Sequence, residues 1–197
     1  MEKPNNSLPE DYFNDVYRNS EDPWDFETSE YEYRKYNSTV DALTKESYKN
    51  AFEIGCSIGV LSEMLAAKCE KLLAVDVAEA PLVKARKRLE KYQHIVVQKM
   101  AVPHQFPSEE FDLIVISEVA YYLAWPDFKL LQQQILAHLE TGGQLLLVHW
   151  TPVVHDYPLT GDEVHDDFMK LSGSGQPLKH ILNQRAETYR LDLFEKQ

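Results

Sequence analysis

Cysteine is scarce in this chain. Only Cys56 and Cys69 occur among 197 residues, with neither metal-ligand spacing nor disulfide density. That scarcity excludes a disulfide scaffold and predicts two small buried hydrophobes in a reducing, cytoplasmic setting. Positive charge is also short: 20 Lys and Arg against 32 Asp and Glu leave a formal charge of −12. Such a surface repels phosphate backbones and argues against nucleic acid as a substrate. The one basic run, KARKRLEK from Lys84 to Lys91, reads as the solvated face of a helix. No apolar run is long enough to cross a bilayer, so no membrane partner is expected. The N-terminal stretch MEKPNNSLPEDYFNDVYRNSEDPWDF lacks the apolar core of a secretory leader. No well-spaced carboxylate cluster suggests a divalent metal, and no repeat or low-complexity linker divides the chain.

What is present is an alternation of two periods. The runs NAFEI, KLLAVD, IVVQ, FDLIVISE and GGQLLLVHW read as strands, the last opening on Gly142 and Gly143. Between them lie helical patterns. Leu61, Met64 and Leu65 share one helix face, as do Leu82, Ala85 and Leu89 behind Pro81, and Phe128, Leu131, Ile135 and Leu139. The strands are apolar throughout, so helices should cover both of their faces in a parallel, doubly wound α/β sheet. The closing segments LKHILNQRAE and TYRLDLFEK alternate instead, as a half-exposed antiparallel pair would. One domain at 41–197 is expected, preceded by an extension at 1–40.

In an open α/β sheet the ligand sits beyond the carboxyl ends of the strands, where the strand order reverses. The first strand-to-helix turn, FEIGCSIGVL, is therefore the natural binding loop. Gly55 and Gly59 allow a sharp turn and a close approach of backbone to ligand. The G-x-G-x-x-G dinucleotide spacing fails, because Ser57 and Val60 stand where glycines are needed, and no P-loop Gly-Lys-Ser/Thr follows. What remains is E-x-G-x-S-x-G from Glu53, with Asp76 ending the next strand. A carboxylate there can accept from two ribose hydroxyls. Without a diphosphate to cradle, the ligand suggested is a nucleoside with a small charged tail, and S-adenosylmethionine fits.

The segments FEIGCSIGVLSEMLAAKCEKLLAVDV, FDLIVISEVAYYL, LLLVHW, DYPLTGDEVHDDF and DPWDFETSEYEYRKY together resemble the NodS-type S-adenosylmethionine-dependent methyltransferases, from about Asp22 to the C-terminus. The resemblance implies a class I methyltransferase fold, a Rossmann-like, doubly wound, seven-stranded sheet whose last strand is inserted antiparallel beside the fifth. It implies an N-terminal helical lid over the cofactor, and N-methylation of an amine such as an amino sugar. S-adenosylhomocysteine would be the product. By the same resemblance Glu53, Gly55, Ser57 and Gly59 form the cofactor loop, Asp76 binds the ribose, and Ser117 lies in the cofactor site. Met100 stands where many class I enzymes have an aspartate; it can pack on adenine while the Ala101 backbone serves the ring edge.

Methyl transfer needs an aligned nucleophile, and an amine must first lose a proton. Glu118 and His149, at the ends of two strands, are the expected bases. Tyr121, Tyr122 and Trp150 are expected as aromatic walls of the substrate site, joined by His165 from a helix opening near Thr160. Tyr31, Arg34 and Tyr36 of the aromatic, acidic extension are placed nearest the cavity. Methylation of a hydroxyl, and binding without turnover, stay open as alternatives.

Overall fold

The computed structural model describes residues 3–197, so the first two residues of the expected 1–40 extension lie outside it. Two helices come first, α1 (Glu10–Asn19) and α2 (Glu30–Asp41). Ser29 caps α2, its hydroxyl accepting from the Glu32 N–H. The apolar runs then become β1 (Ala51–Ile54), β2 (Leu72–Asp76), β3 (Ile95–Lys99), β4 (Phe111–Ser117) and β5 (Leu139–Trp150). Between and after them lie α3 (Val60–Leu65), α4 (Glu79–Leu89), α5 (Trp125–His138) and α6 (Gly161–Met169). The chain closes with β6 (Leu178–Arg185) and β7 (Tyr189–Lys196).

The seven strands form one sheet in the order β3-β2-β1-β4-β5-β7-β6. The first five are mutually parallel, and β7 lies antiparallel between β5 and β6. This is the expected sheet, with the last strand beside the fifth. The order reverses between β1 and β4, which opens a crevice above their carboxyl ends.

The lack of alternation in β4 has a direct cause. Ile114 and Ile116 pack into one core with Phe52, Phe128 and Phe168, while Leu113 and Val115 pack into the other with Leu61, Leu65 and Leu82. Tyr36 of α2 belongs to this second core, so the extension is continuous with the domain, and α2 runs one residue past the expected boundary at 40.

Three expectations need correction. β3 is an edge strand with Val96 57% exposed, so only its inner face is covered. β5 begins at Leu139, ahead of the glycines, and the register with β4 slips between the Phe111 and Leu113 pairings. β7 is not half-exposed: from Tyr189 to Phe194 every residue is buried, because Tyr189, Leu191 and Leu193 pack into the second core and Arg190, Asp192 and Phe194 lie against α6. Its alternating Arg190 and Asp192 point into a buried polar cluster instead of solvent.

Candidate functional site

The turn after β1 is built from left-handed backbone, with φ of 87° at Gly55, 48° at Ser57 and 80° at Gly59. Gly55 is required twice over, since a β-carbon there would stand 2.0 Å from Val119 Cγ2. The N–H groups of Gly55 and Cys56 donate to the Val75 carbonyl at 2.8 and 2.9 Å, which pins the turn to the end of β2. Asp76 completes the clasp. Its Oδ2 accepts from the Ser57 N–H and its Oδ1 from the Ala78 N–H, both at 3.0 Å. Each carboxylate oxygen keeps a lone pair for another donor. Burial holds the Asp76 carboxyl above its ordinary range, against the pull of those N–H groups. Glu53 is fully buried beneath the loop, accepts from Ser62 Oγ at 2.5 Å, and is pushed up to about 7 by burial.

This clasp forms one end of a cavity of about 330 Å³, within the range of small-molecule sites. Glu53, Gly55, Ser57, Asp76, Met100 and Ser117 line it, while Gly59 lies behind them as the N-cap of α3. Ala101 does not line it, and its N–H donates to Gln105 Oε1 at 2.9 Å. Tyr17, Trp24 and Phe26 from the N-terminal segment line the cavity too. The Tyr17 and Ser57 hydroxyls are hydrogen-bonded at 2.5 Å, tying α1 to the glycine loop. Tyr17→Phe is expected to lower stability by about 1 kcal/mol, read as a drop in Tm of roughly 2–4 °C.

At the other end stands Glu118, one residue past β4 and held at φ 58°, a strained value for a side chain of this kind. Its Oε2 accepts from Tyr121 Oη at 2.6 Å and from the Trp150 N–H at 2.8 Å, and its Oε1 accepts from Lys35 Nζ at 2.8 Å. Lys35 also contacts Glu32 and is almost fully buried. Burial alone would lower its pKa, but the Glu118 and Glu32 carboxylates override that and hold it above the ordinary lysine range. Tyr36, Tyr121, Tyr122 and Trp150 line the cavity around this cluster.

His149 and His165 do not. His149 is fully buried behind the cavity wall, with the Ala120 N–H donating to its Nε2 at 3.2 Å and its Nδ1 lying 3.0 Å from His165 Nε2. His165 Nδ1 in turn lies 2.6 Å from Asp192 Oδ2. The donors fix both tautomers: each ring carries its proton on Nδ1 and passes a hydrogen bond inward to Asp192. Burial lowers the pKa of both rings, His149 well below the ordinary value. A base needs a free lone pair facing the substrate, and His149 has none. The pair instead holds the turn Ala120–Tyr122, which carries Tyr121 and Tyr122. Tyr31 and Arg34 are likewise displaced from the expectation. Tyr31 Oη bonds Thr188 Oγ1 at 2.8 Å on the outer surface, and Arg34 is exposed and ion-paired with Glu30.

Sequence reasoning missed Tyr17, Glu32 and Lys35. A signal for the last two was present. Glu32, Lys35, Tyr36 and Thr39 fall at i, i+3, i+4 and i+7, the buried stripe of α2, although two of the four are charged. Among the described residues no group of three metal-ligating side chains occurs, and no helix is long and apolar enough to cross a membrane.

A profile of the family described as nodulation protein S (NodS) matches residues 13–147, more than half of the chain. The chain belongs to the NodS family. Nodulation protein S of Bradyrhizobium diazoefficiens is 36% identical over 104 residues, 52% of this chain and 50% of that protein. The chain thus spans about half the length of the curated NodS relatives it matches. A candidate methyltransferase from Pseudomonas syringae is 34% identical, with a TM-score of 0.73 over 84% of this chain and 99% of that one. The N-methyltransferase NodS of Bradyrhizobium japonicum WM9, solved with S-adenosyl-L-homocysteine, has a TM-score of 0.82 over 94% of this chain and 97% of that one, at 21% identity. The NodS-family chain therefore has the α/β fold of these methyltransferase structures.

Proposed function

We propose that this NodS-family chain is an S-adenosylmethionine-dependent methyltransferase acting on a small molecule at an amine nitrogen. The observation that carries the reading is the Asp76 clasp. A carboxylate with one lone pair free on each oxygen, at the edge of a cavity floored by glycine backbone, fits a vicinal diol and leaves no cradle for a diphosphate. When bound, S-adenosylmethionine supplies an electrophilic methyl group. The chain's own residues would hold it: Asp76 at the ribose, Gly55 and Ser57 along the tail, and Met100 and Ser117 in the wall.

An amine acceptor is supported by the acidic end of the cavity, where Glu32 and Glu118 outnumber Lys35. An oxygen acceptor is less well served, because the histidine expected as its base has both nitrogens engaged. The reading takes the N-terminal segment as a lid, since Tyr17, Trp24 and Phe26 line the cavity. It takes nucleic acid as excluded on the formal charge of −12. It places the protein in the cytoplasm on its two free buried cysteines.

A thermal melt tests the cofactor. S-adenosylhomocysteine at a hundred times its Kd is expected to add about 2.7 kcal/mol, a rise in Tm of roughly 5–10 °C, and NADH none. No rise with S-adenosylhomocysteine sinks the reading. Transfer of labelled methyl to an amine and not to its matched alcohol then separates nitrogen from oxygen.

A further inference from the structure

Among the described residues one buried side-chain oxygen or nitrogen has no hydrogen-bond partner, Oε2 of Glu32. Glu32 is 8% exposed and lines the same cavity as Asp76. Lys35 Nζ donates to Glu32 Oε1 at 3.0 Å and lies 2.9 Å from Oε2 as an ion pair without making a hydrogen bond to it. The same ammonium donates to Glu118 Oε1 at 2.8 Å.

The charges do not balance. Two carboxylates share one buried ammonium, and Glu118 fills its second oxygen with Tyr121 Oη and the Trp150 N–H. One negative charge is thus left over between the two carboxylates, and the buried oxygen without a donor is Oε2 of Glu32. Its other charged neighbour, Asp22 of the segment before α2, adds negative charge and no cation. A buried carboxylate oxygen left in this state is unfavourable, and a ligand that brings a positive N–H donor removes the deficit. The surroundings suit such a ligand, since Tyr36, Tyr121 and Trp150 line the same cavity as Glu32 and offer it aromatic rings.

We propose that Glu32 is the docking and proton-accepting group for a cationic amine, its Oε2 receiving an N–H of the incoming ammonium. The inference rests on the methyltransferase reading and names the acceptor class: an amine that arrives protonated. An ammonium nitrogen has no lone pair, so an N–H bond must break before the nitrogen can react. The electron pair stays on nitrogen, an O–H bond forms at Glu32 Oε2, and the proton later leaves to water. Burial raises the pKa of the Glu32 carboxyl against the pull of Lys35, which strengthens it as a proton acceptor. Glu118, with Lys35 on one oxygen and Tyr121 Oη and the Trp150 N–H on the other, is then a positioning residue that holds Lys35, Tyr121 and the start of the Trp150 loop.

The test uses the full chain saturated with S-adenosylhomocysteine, melted with D-glucosamine or benzylamine and with the neutral matches D-glucose or benzyl alcohol. An amine is expected to raise Tm beyond the S-adenosylhomocysteine complex while its match does not. Glu32→Gln should keep the S-adenosylhomocysteine shift but weaken amine binding by roughly thirtyfold or more, and Glu32→Asp should restore part of it. The proposal is overturned if Glu32→Gln keeps the full amine increment, or if neither amine adds to the wild-type complex. An absent S-adenosylhomocysteine shift in the wild type overturns the methyltransferase reading itself, and this inference with it.

Discussion

Asp76→Ala is expected to abolish the S-adenosylhomocysteine shift and to weaken that ligand at least about a hundredfold, since two hydrogen bonds to a charged acceptor are worth about 1.5–3 kcal/mol each. The free protein should also lose about 2 kcal/mol, because the Ser57 and Ala78 N–H groups both lose their acceptor. Asp76→Asn separates these effects. Its side-chain oxygen can keep one of the two N–H groups, and it removes a charge whose burial is unfavourable. The sign follows from the raised pKa: the contribution of Asp76 to stability is greatest below its unfolded value of 3.8 and declines as pH rises through the folded value. At neutral pH the ionised carboxylate is thus held at a cost to the fold, which the asparagine relieves. Asp76→Asn should therefore melt within a few degrees of the wild type and still fail to bind. Titration of both variants with S-adenosylhomocysteine in a thermal melt checks this, and unchanged affinity in either would remove Asp76 from the ligand site.

The contrast between Asp76 and His149 shows what the sequence could convey. Asp76 was legible because its place depends on local rules: an apolar strand ends, a helix begins, and a carboxylate at that junction faces the crevice. The parallel sheet was legible for a related reason, since runs such as FDLIVISE leave no polar face for solvent. His149 also ends a strand, and the same rule aimed it at the ligand. Its neighbours decided otherwise. His165 from α6 and Asp192 from β7 lie far along the chain, and only the insertion of β7 beside β5 brings their polar atoms to its ring. Glu32 and Lys35 were hidden differently. Charge on a helix normally marks the wet face, and here the buried stripe is itself charged because the cavity it lines is acidic. The helical period alone marks that stripe at i, i+3, i+4 and i+7, but its two charged members read as solvent-facing, and it was passed over.

The cluster that captured His149 should be the most sensitive part of the fold outside the ligand site. Asp192 is fully buried and accepts from four donors: His165 Nδ1 at 2.6 Å, His180 Nε2 at 2.7 Å, Asn183 Nδ2 at 2.9 Å and Arg190 Nε at 2.7 Å. Burial opposes its ionisation, yet these donors hold its pKa down, to about 2. Asp192→Ala leaves Arg190 without its buried partner and cuts the hydrogen-bond chain through His165 and His149 to the Ala120 N–H, so a loss of about 3–5 kcal/mol is expected. For a chain of this size that lowers Tm by roughly 6–20 °C. The pH dependence gives the change a second signature. A depressed aspartate stabilises above its unfolded pKa of 3.8, and that contribution is lost as pH falls towards 2. The two histidines act earlier. Their folded pKa values are lowered, so their contribution is complete above the unfolded value of 6.5 and is lost as pH falls below it. Each should give up to about 1.4 kcal/mol per pH unit in that range. Denaturant melts of the wild type at pH 7.5 and 5.5 should therefore differ by more than those of a His149→Asn, His165→Asn double variant. Equal slopes in the two proteins would mean that these rings take up protons in the native state as readily as in the unfolded chain, and the directed chain from Ala120 to Asp192 would then have to be redrawn.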